Sequence, residues 1–262
     1  MRRYLGKASA LAAVLALAGG AMAVGQTLVG TSGPDTLPGS KEPDALWGEE
    51  GDDVLTGLQA NDYLEAGPGN DKVDGGPDDD FATGGTGDDQ IQMGGGMDVV
   101  YAGPGDDELL GEDGGDILLG QAGDDRIFGG PGPDRLYTGP GDDYAAGGSG
   151  DDQLFADVGT STLLGGSGDD TIRAQAVGAF TVEGGSGDDR IVLSSGPDKV
   201  VGGGGEDRIS TGSGDDTLQL VDGHRDSVRC GRGNDTVEAD KVDRLNGCEK
   251  VTISKPPAKR RR

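Results

Sequence analysis

Aspartate is the residue that could do chemistry in this chain, because it returns at a fixed step. From Asp35, nine-residue steps reach Asp44, Asp53, Asp62, Asp71, Asp80, Asp89, Asp98, Asp107, Asp116, Asp125, Asp134, Asp143 and Asp152. Ser161 breaks one step, and Asp170 restores the phase. A ten-residue step then passes Phe180 and leads to Asp189, Asp198, Asp207 and Asp216; another leads to Asp226 and Asp235. The text before each Asp is glycine-rich, as in Gly84-Gly85-Thr86-Gly87-Asp88-Asp89 and Gly165-Gly166-Ser167-Gly168-Asp169-Asp170. A carboxylate offers hard oxygen donors. A glycine loop adds carbonyl oxygens that no Cβ shields. Ca²⁺ takes about 6–8 such oxygens at roughly 2.3–2.6 Å. The pattern therefore points to multiple Ca²⁺ ions. The expected metal ligands are Asp53, Asp71, Asp80, Asp89, Asp98, Asp107, Asp116, Asp125, Asp134, Asp143, Asp152, Asp170, Asp189, Asp198, Asp207, Asp216 and Asp235.

These carboxylates need elements to position them. Two residues after each Asp stands an apolar residue, for example Leu55, Leu64, Val73, Ile91, Leu109, Ile127, Leu154 and Ile209. Each nonapeptide thus divides into a six-residue turn ending at Asp and a three-residue strand about the apolar residue. The pattern G-G-x-G-x-D-x-U-x, with U apolar, resembles the RTX (haemolysin-type) calcium-binding repeat family over roughly residues 30–240. The resemblance implies an all-β, right-handed parallel β-roll, a β-solenoid of stacked nonapeptide repeats with two repeats per coil. It also implies two facing ladders of apolar side chains, and ions held between turns of successive coils. About twelve coils at roughly 4.8 Å would give a rod of about 55 Å.

Composition fits a fold held by cations. Gly is 54 of 262 residues, aromatics are 4%, and the formal charge is −26. So little apolar mass, with so much like charge, would ordinarily leave a chain disordered. The acidity argues against nucleic acid as a partner and predicts self-repulsion without metal. Folding and Ca²⁺ binding are expected to be one event.

The repeat also shows where it fails. Ser161 and Phe180 replace Asp at two units that fall on the same edge, so a gap in the ions is expected there. Asp152, Asp170, Asp189 and Asp207 on the other edge continue without a break. The early stretches Ser40-Lys41-Glu42-Pro43-Asp44 and Leu58-Gln59-Ala60-Asn61-Asp62 lack glycines, so weak or empty sites are expected there.

The ends differ from the middle. Residues 1–23 read as a secretory signal peptide, with Arg2, Arg3 and Lys7 before the apolar run Ala8–Ala18 and an Ala21-Met22-Ala23 cleavage site. Its removal would leave a mature charge of −29 and no transmembrane segment. Residues 24–229 form the calcium-binding roll. Residues 230–253 form a degenerate cap, where Cys230 and Cys248, the two cysteines of a secreted chain, are expected to be bonded. Their separation of one coil would stack them within disulfide reach. Residues 254–262 form a basic tail, expected to be disordered.

No catalytic constellation stands out, so the chain is not expected to be an enzyme. His224, the single histidine, sits at a turn position. The function expected is a bacterial, extracellular, calcium-binding scaffold or adhesin, with cell-wall or extracellular polysaccharide as a candidate partner. The alternatives are a roll that binds polysaccharide or ice through a flat face, or a polysaccharide-modifying enzyme.

Overall fold

The computed structural model describes residues 25–256. The expected signal segment and the tail residues 257–262 lie outside the described residues. The chain is a parallel β-solenoid built of two sheets, each of thirteen strands. Sheet I begins with Thr27–Val29, Ala45–Trp47 and Tyr63–Pro68; sheet II begins with Thr36–Ser40, Val54–Leu58 and Lys72–Pro77. Successive strands alternate between the sheets, so each coil lays one strand on each.

The register follows from the nine-residue period. Leu46 pairs with Leu64, Leu109 with Ile127, and Ile191 with Ile209, each eighteen residues on. Side chains alternate faces along a strand. The U residue therefore points inward and is buried from Leu37 to Val237, while the last one, Val251, is exposed at the end of the stack. The inward residues form one continuous core, including Leu55, Leu64, Ile91, Leu118, Leu136, Leu163 and Ile191. The extra residue before Phe180 is absorbed by a register shift between Ala174 and Val177, and Val182 still pairs with Leu163.

Three features depart from the repeat as read in sequence. Many strands run six residues, such as Tyr63–Pro68 and Tyr144–Ser149, where three were expected. Parallel pairing recruits the first two glycine positions, so Gly67 pairs with Gly85 and Gly130 with Gly148. The first position of the motif also faces inward. Where it is not glycine it adds to the core, through Ala66, Met93, Ala102, Leu193 and Leu220. Finally, each sheet has thirteen strands, one more than the expected coil count, because Leu28 stacks on Leu46 before the first Asp and Leu245 and Val251 continue the two stacks beyond the repeat. At about 4.8 Å per rung the stack is roughly 60 Å long.

The C-terminal coil is short. Val228 pairs with Leu245 and Val237 with Val251, steps of seventeen and fourteen residues. Cys230 and Cys248 form a disulfide with a Cα separation of 5.2 Å. The expected stacking is corrected by one residue. The short step sets Cys230 level with Gly247, and Cys248 lies just beyond.

Candidate metal centre

The aspartates are gathered into two buried rows, one along each edge of the solenoid. The turns entering sheet I carry Asp44, Asp62, Asp80, Asp98, Asp116, Asp134, Asp152, Asp170, Asp189, Asp207 and Asp226. The turns entering sheet II carry Asp53, Asp71, Asp89, Asp107, Asp125, Asp143, Asp198, Asp216 and Asp235. All of these are almost fully buried.

Each row is wired to itself. Except at Asp143 and Asp235, the backbone N–H of each Asp donates to Oδ1 of the Asp one coil further on. Asp89 donates to Asp107 at 2.8 Å, Asp98 to Asp116 at 2.9 Å and Asp189 to Asp207 at 3.0 Å. That bond fixes the carboxylate and leaves the other oxygen turned inside. Oδ2 is buried without a hydrogen-bond partner at seventeen positions. Sixteen of these are expected ligands, and the remaining one is Asp62.

Asp143 is the expected ligand that departs from this arrangement. The Ser161 hydroxyl stands 3.4 Å from its Oδ2, and Ser161 Oγ accepts the Asp143 N–H at 3.3 Å. The next residue in that row is Phe180, a buried side chain whose N–H donates to Asp198 at 2.9 Å. The row entering sheet II thus lacks a carboxylate at two consecutive coils. The row entering sheet I runs through Asp152, Asp170, Asp189 and Asp207 unbroken.

The early turns split. Both carboxylate oxygens of Asp44 accept bonds, from the N–H groups of Gln26 and Ser40 and from the Ser40 hydroxyl. Asp62 keeps a bare Oδ2 although its turn lacks glycine. Leu58 and Ala60 adopt the glycine conformation there, with φ of 84° and 76°. Each such residue costs about 1–2 kcal/mol. Stacking on the next coil therefore imposes the turn on a sequence that does not encode it.

Glycine is required where coils approach most closely. A Cβ on Gly85, at φ 122°, would lie 1.9 Å from the Gly67 carbonyl oxygen, and one on Gly87 2.0 Å from that of Gly69. Backbone oxygens therefore line each gap between coils. Among the described residues no three Asp, Glu, His or Cys side chains converge. A cation here would be held by carboxylates backed by these carbonyls, the all-oxygen donor set that suits Ca²⁺.

Burial pushes the row carboxyls up. Desolvation, opposed by the N–H bond and reinforced by neighbouring carboxylates, raises Asp80 to about 8 and Asp62, Asp89, Asp125 and Asp152 to about 7. Leaving one buried polar atom unpaired costs about 1–3 kcal/mol. Seventeen of them outweigh the roughly 5–15 kcal/mol that holds an ordinary domain together. The bare oxygens, the carbonyl-lined gaps and the excess negative charge all fit a row of divalent cations.

The profile of the RTX calcium-binding nonapeptide repeat matches residues 29–64, 56–91, 93–127, 119–154, 128–163, 155–176 and 183–218. Together these cover well over half of the chain. The protein belongs to the RTX calcium-binding nonapeptide repeat family. No curated protein matches the RTX chain. Among solved structures it is similar to a hyperactive, Ca²⁺-dependent, β-helical antifreeze protein from an Antarctic bacterium. The identity is 19%, over 87% of this chain and 80% of that one, with a TM-score of 0.33.

Sequence reasoning missed a second set of carboxylates in the RTX turns. Asp88, Asp106 and Asp124, one residue before the buried row, accept the N–H of the residue one coil on, at 2.9–3.0 Å. They form exposed ladders that run opposite to the buried rows. The doublet Asp-Asp in the sequence was the available signal. The ends of the rows were missed too. Asp243 accepts the Asp226 N–H, and Glu249 accepts that of Asp235, both at 3.1 Å. His224 is exposed in its turn, with Nδ1 2.6 Å from Asp222.

Proposed function

We propose that the protein is a secreted calcium-loaded scaffold whose fold assembles as its aspartate rows fill with multiple Ca²⁺ ions. The seventeen buried, unpartnered Oδ2 atoms carry this reading. The ligands are the sixteen expected aspartates that share this feature, together with Asp62, and the carbonyls of the facing turns complete each sphere. Bound Ca²⁺ supplies positive charge between stacked carboxylates, and the chain supplies spacing, burial and exclusion of water. Ions are interrupted in the row that passes Ser161 and Phe180. An extracellular location suits this chemistry, because the expected signal segment would deliver the chain to a calcium-rich medium. A structural or adhesive role at the cell surface follows from a long, rigid, repeat-built body.

Ice binding is less well supported. One outward column of sheet II carries Thr162, Thr181, Thr217 and Thr236, but Lys199 interrupts it, and the parallel column holds Glu183 and Glu238. The test of the main reading is a Ca²⁺ titration of the chelated mature chain at mildly alkaline pH, followed by far-UV circular dichroism. Strand signal should appear only as Ca²⁺ is added. Native-like signal in excess chelator would sink the proposal.

A further inference from the structure

One face of this acidic molecule has the opposite sign. The last five strands of sheet I begin at Thr171, Arg190, Arg208, Ser227 and Arg244. Flanking the inward U residue, they offer ten outward positions, and five of these are arginine: Arg173, Arg190, Arg208, Arg229 and Arg244. None of the ten is acidic. Four of the five are exposed and Arg173 is half-buried. Arg190 and Arg208 are direct cross-strand partners. Like charges placed opposite each other destabilise a sheet. A chain with 48 acidic residues could have put a carboxylate between them and did not. Arg190, Arg208, Arg229 and Arg244 line a concavity of about 350 Å³ together with Ser210, Ser227 and Asn246.

The same face continues toward the N-terminus as an aromatic platform. Tyr137 and Phe155 stack with ring centroids 4.8 Å apart, one rung below Arg173. With Arg173 and one carboxylate, Asp157, they line a second concavity, of about 480 Å³, beside the coils where the repeat fails. Flat rings offer a stacking surface to a pyranose. Guanidinium groups offer paired donors to a carboxylate. Rungs about 4.8 Å apart present these groups as a linear series.

We infer that this face, from Tyr137 to Arg244, is a binding groove for a linear acidic polysaccharide, with the arginines reading uronate carboxylates and the two rings packing sugar faces. This goes beyond the calcium-loaded scaffold and rests on it only in that the loaded roll is the folded state.

The test uses the full mature chain in saturating Ca²⁺. Binding of short oligogalacturonates is measured by titration calorimetry, beside their methyl esters and phosphatidylglycerol vesicles. The acid oligomer should bind and the ester should not. The triple variant Arg190→Gln, Arg208→Gln, Arg229→Gln should bind about ten-fold or more weakly, with an unchanged far-UV spectrum. Should the triple variant lose strand signal, the exposed single variant Arg208→Gln decides, with a several-fold loss expected. Phe155→Ala should weaken binding without changing its salt dependence. Binding by the variants equal to wild type would mean calcium bridging and would overturn the inference. So would equal binding of the ester, or Arg-dependent binding of vesicles with none of the uronate. A chain that folds on Ca²⁺ yet ignores the oligomer refutes the groove and leaves the scaffold standing.

Discussion

At the scale of the residue, the buried aspartate is an unfinished contact. Asp116 accepts one N–H at 2.9 Å and leaves Oδ2 bare, whereas Asp143 has its Oδ2 engaged by a hydroxyl. Asp116→Asn should therefore raise the Ca²⁺ midpoint of folding several-fold, and Asp143→Asn should raise it less; circular dichroism titrations of both variants check this. The glycines can be tested in the same way. Gly85→Ala would force a Cβ into the Gly67 carbonyl at a positive φ. A Cβ on Gly95 would meet its nearest atom at 3.7 Å. Denaturation in saturating Ca²⁺ should show Gly85→Ala losing more than 1 kcal/mol and Gly95→Ala changing little. Titration gives a third expectation. In the metal-free fold Asp80 and Asp226 are raised to about 8 and Asp107 and Asp134 to about 6, chiefly by desolvation, against an ordinary value of 3.8. A raised folded value means that protonation favours the fold. That stability is fully present below about pH 4 and is lost as pH rises through roughly 6 to 8. Without calcium the chain should gain strand signal on acidification, and near neutral pH calcium binding should release protons.

At the scale of the element, the strand is longer than its apolar core suggests because pairing extends into the glycines. The strand thus carries one left-handed residue of its own, Gly67 or Gly85 for example, ahead of the three residues that end at Asp. Leu58 and Ala60 reach positive φ without being glycine, which only stacking on neighbouring coils explains. The last coil closes with a disulfide spanning eighteen residues. Opening a loop of that size removes about 3 kcal/mol of stabilisation. Cys230→Ser should lower the melting temperature of the calcium-loaded protein, and the loss should appear as early fraying of the C-terminal strands in hydrogen exchange.

At the scale of the whole molecule, contacts run only between neighbouring coils, so stability is a sum along one axis. Lys and Arg, 22 in all, offset fewer than half of the 48 acidic side chains along that axis. Removing Ca²⁺ should convert a rod into an expanded coil, with the radius of gyration rising from about 20 Å to about 50 Å; small-angle scattering in chelator and in Ca²⁺ measures this. Charge is also unevenly spread. The five arginines from 173 to 244 gather on one sheet face and the aspartates of the repeat at the two edges, a segregation that becomes visible only when alternate strands are sorted onto their sheets.

Much of this was legible in the sequence, because the nine-residue period marks each turn and strand, and the resemblance to the RTX repeat adds two strands per coil, the inward side chain and so the edge on which each Asp falls. Asp53, Asp107 and Asp198 could be placed from their spacing alone, and so could the break at Ser161 and Phe180. Other features depend on what lies one coil away. The bare Oδ2 of Asp62, in a turn without glycine, exists because the next coil imposes the turn. The one-residue slip at Cys248 follows from a shortened final coil that no longer keeps the period. The arginines from 173 to 244 look scattered along the chain, since eighteen residues separate neighbours in space. Repetition encodes local geometry, while adjacency between coils, which sets charge against charge, arises only when the solenoid closes.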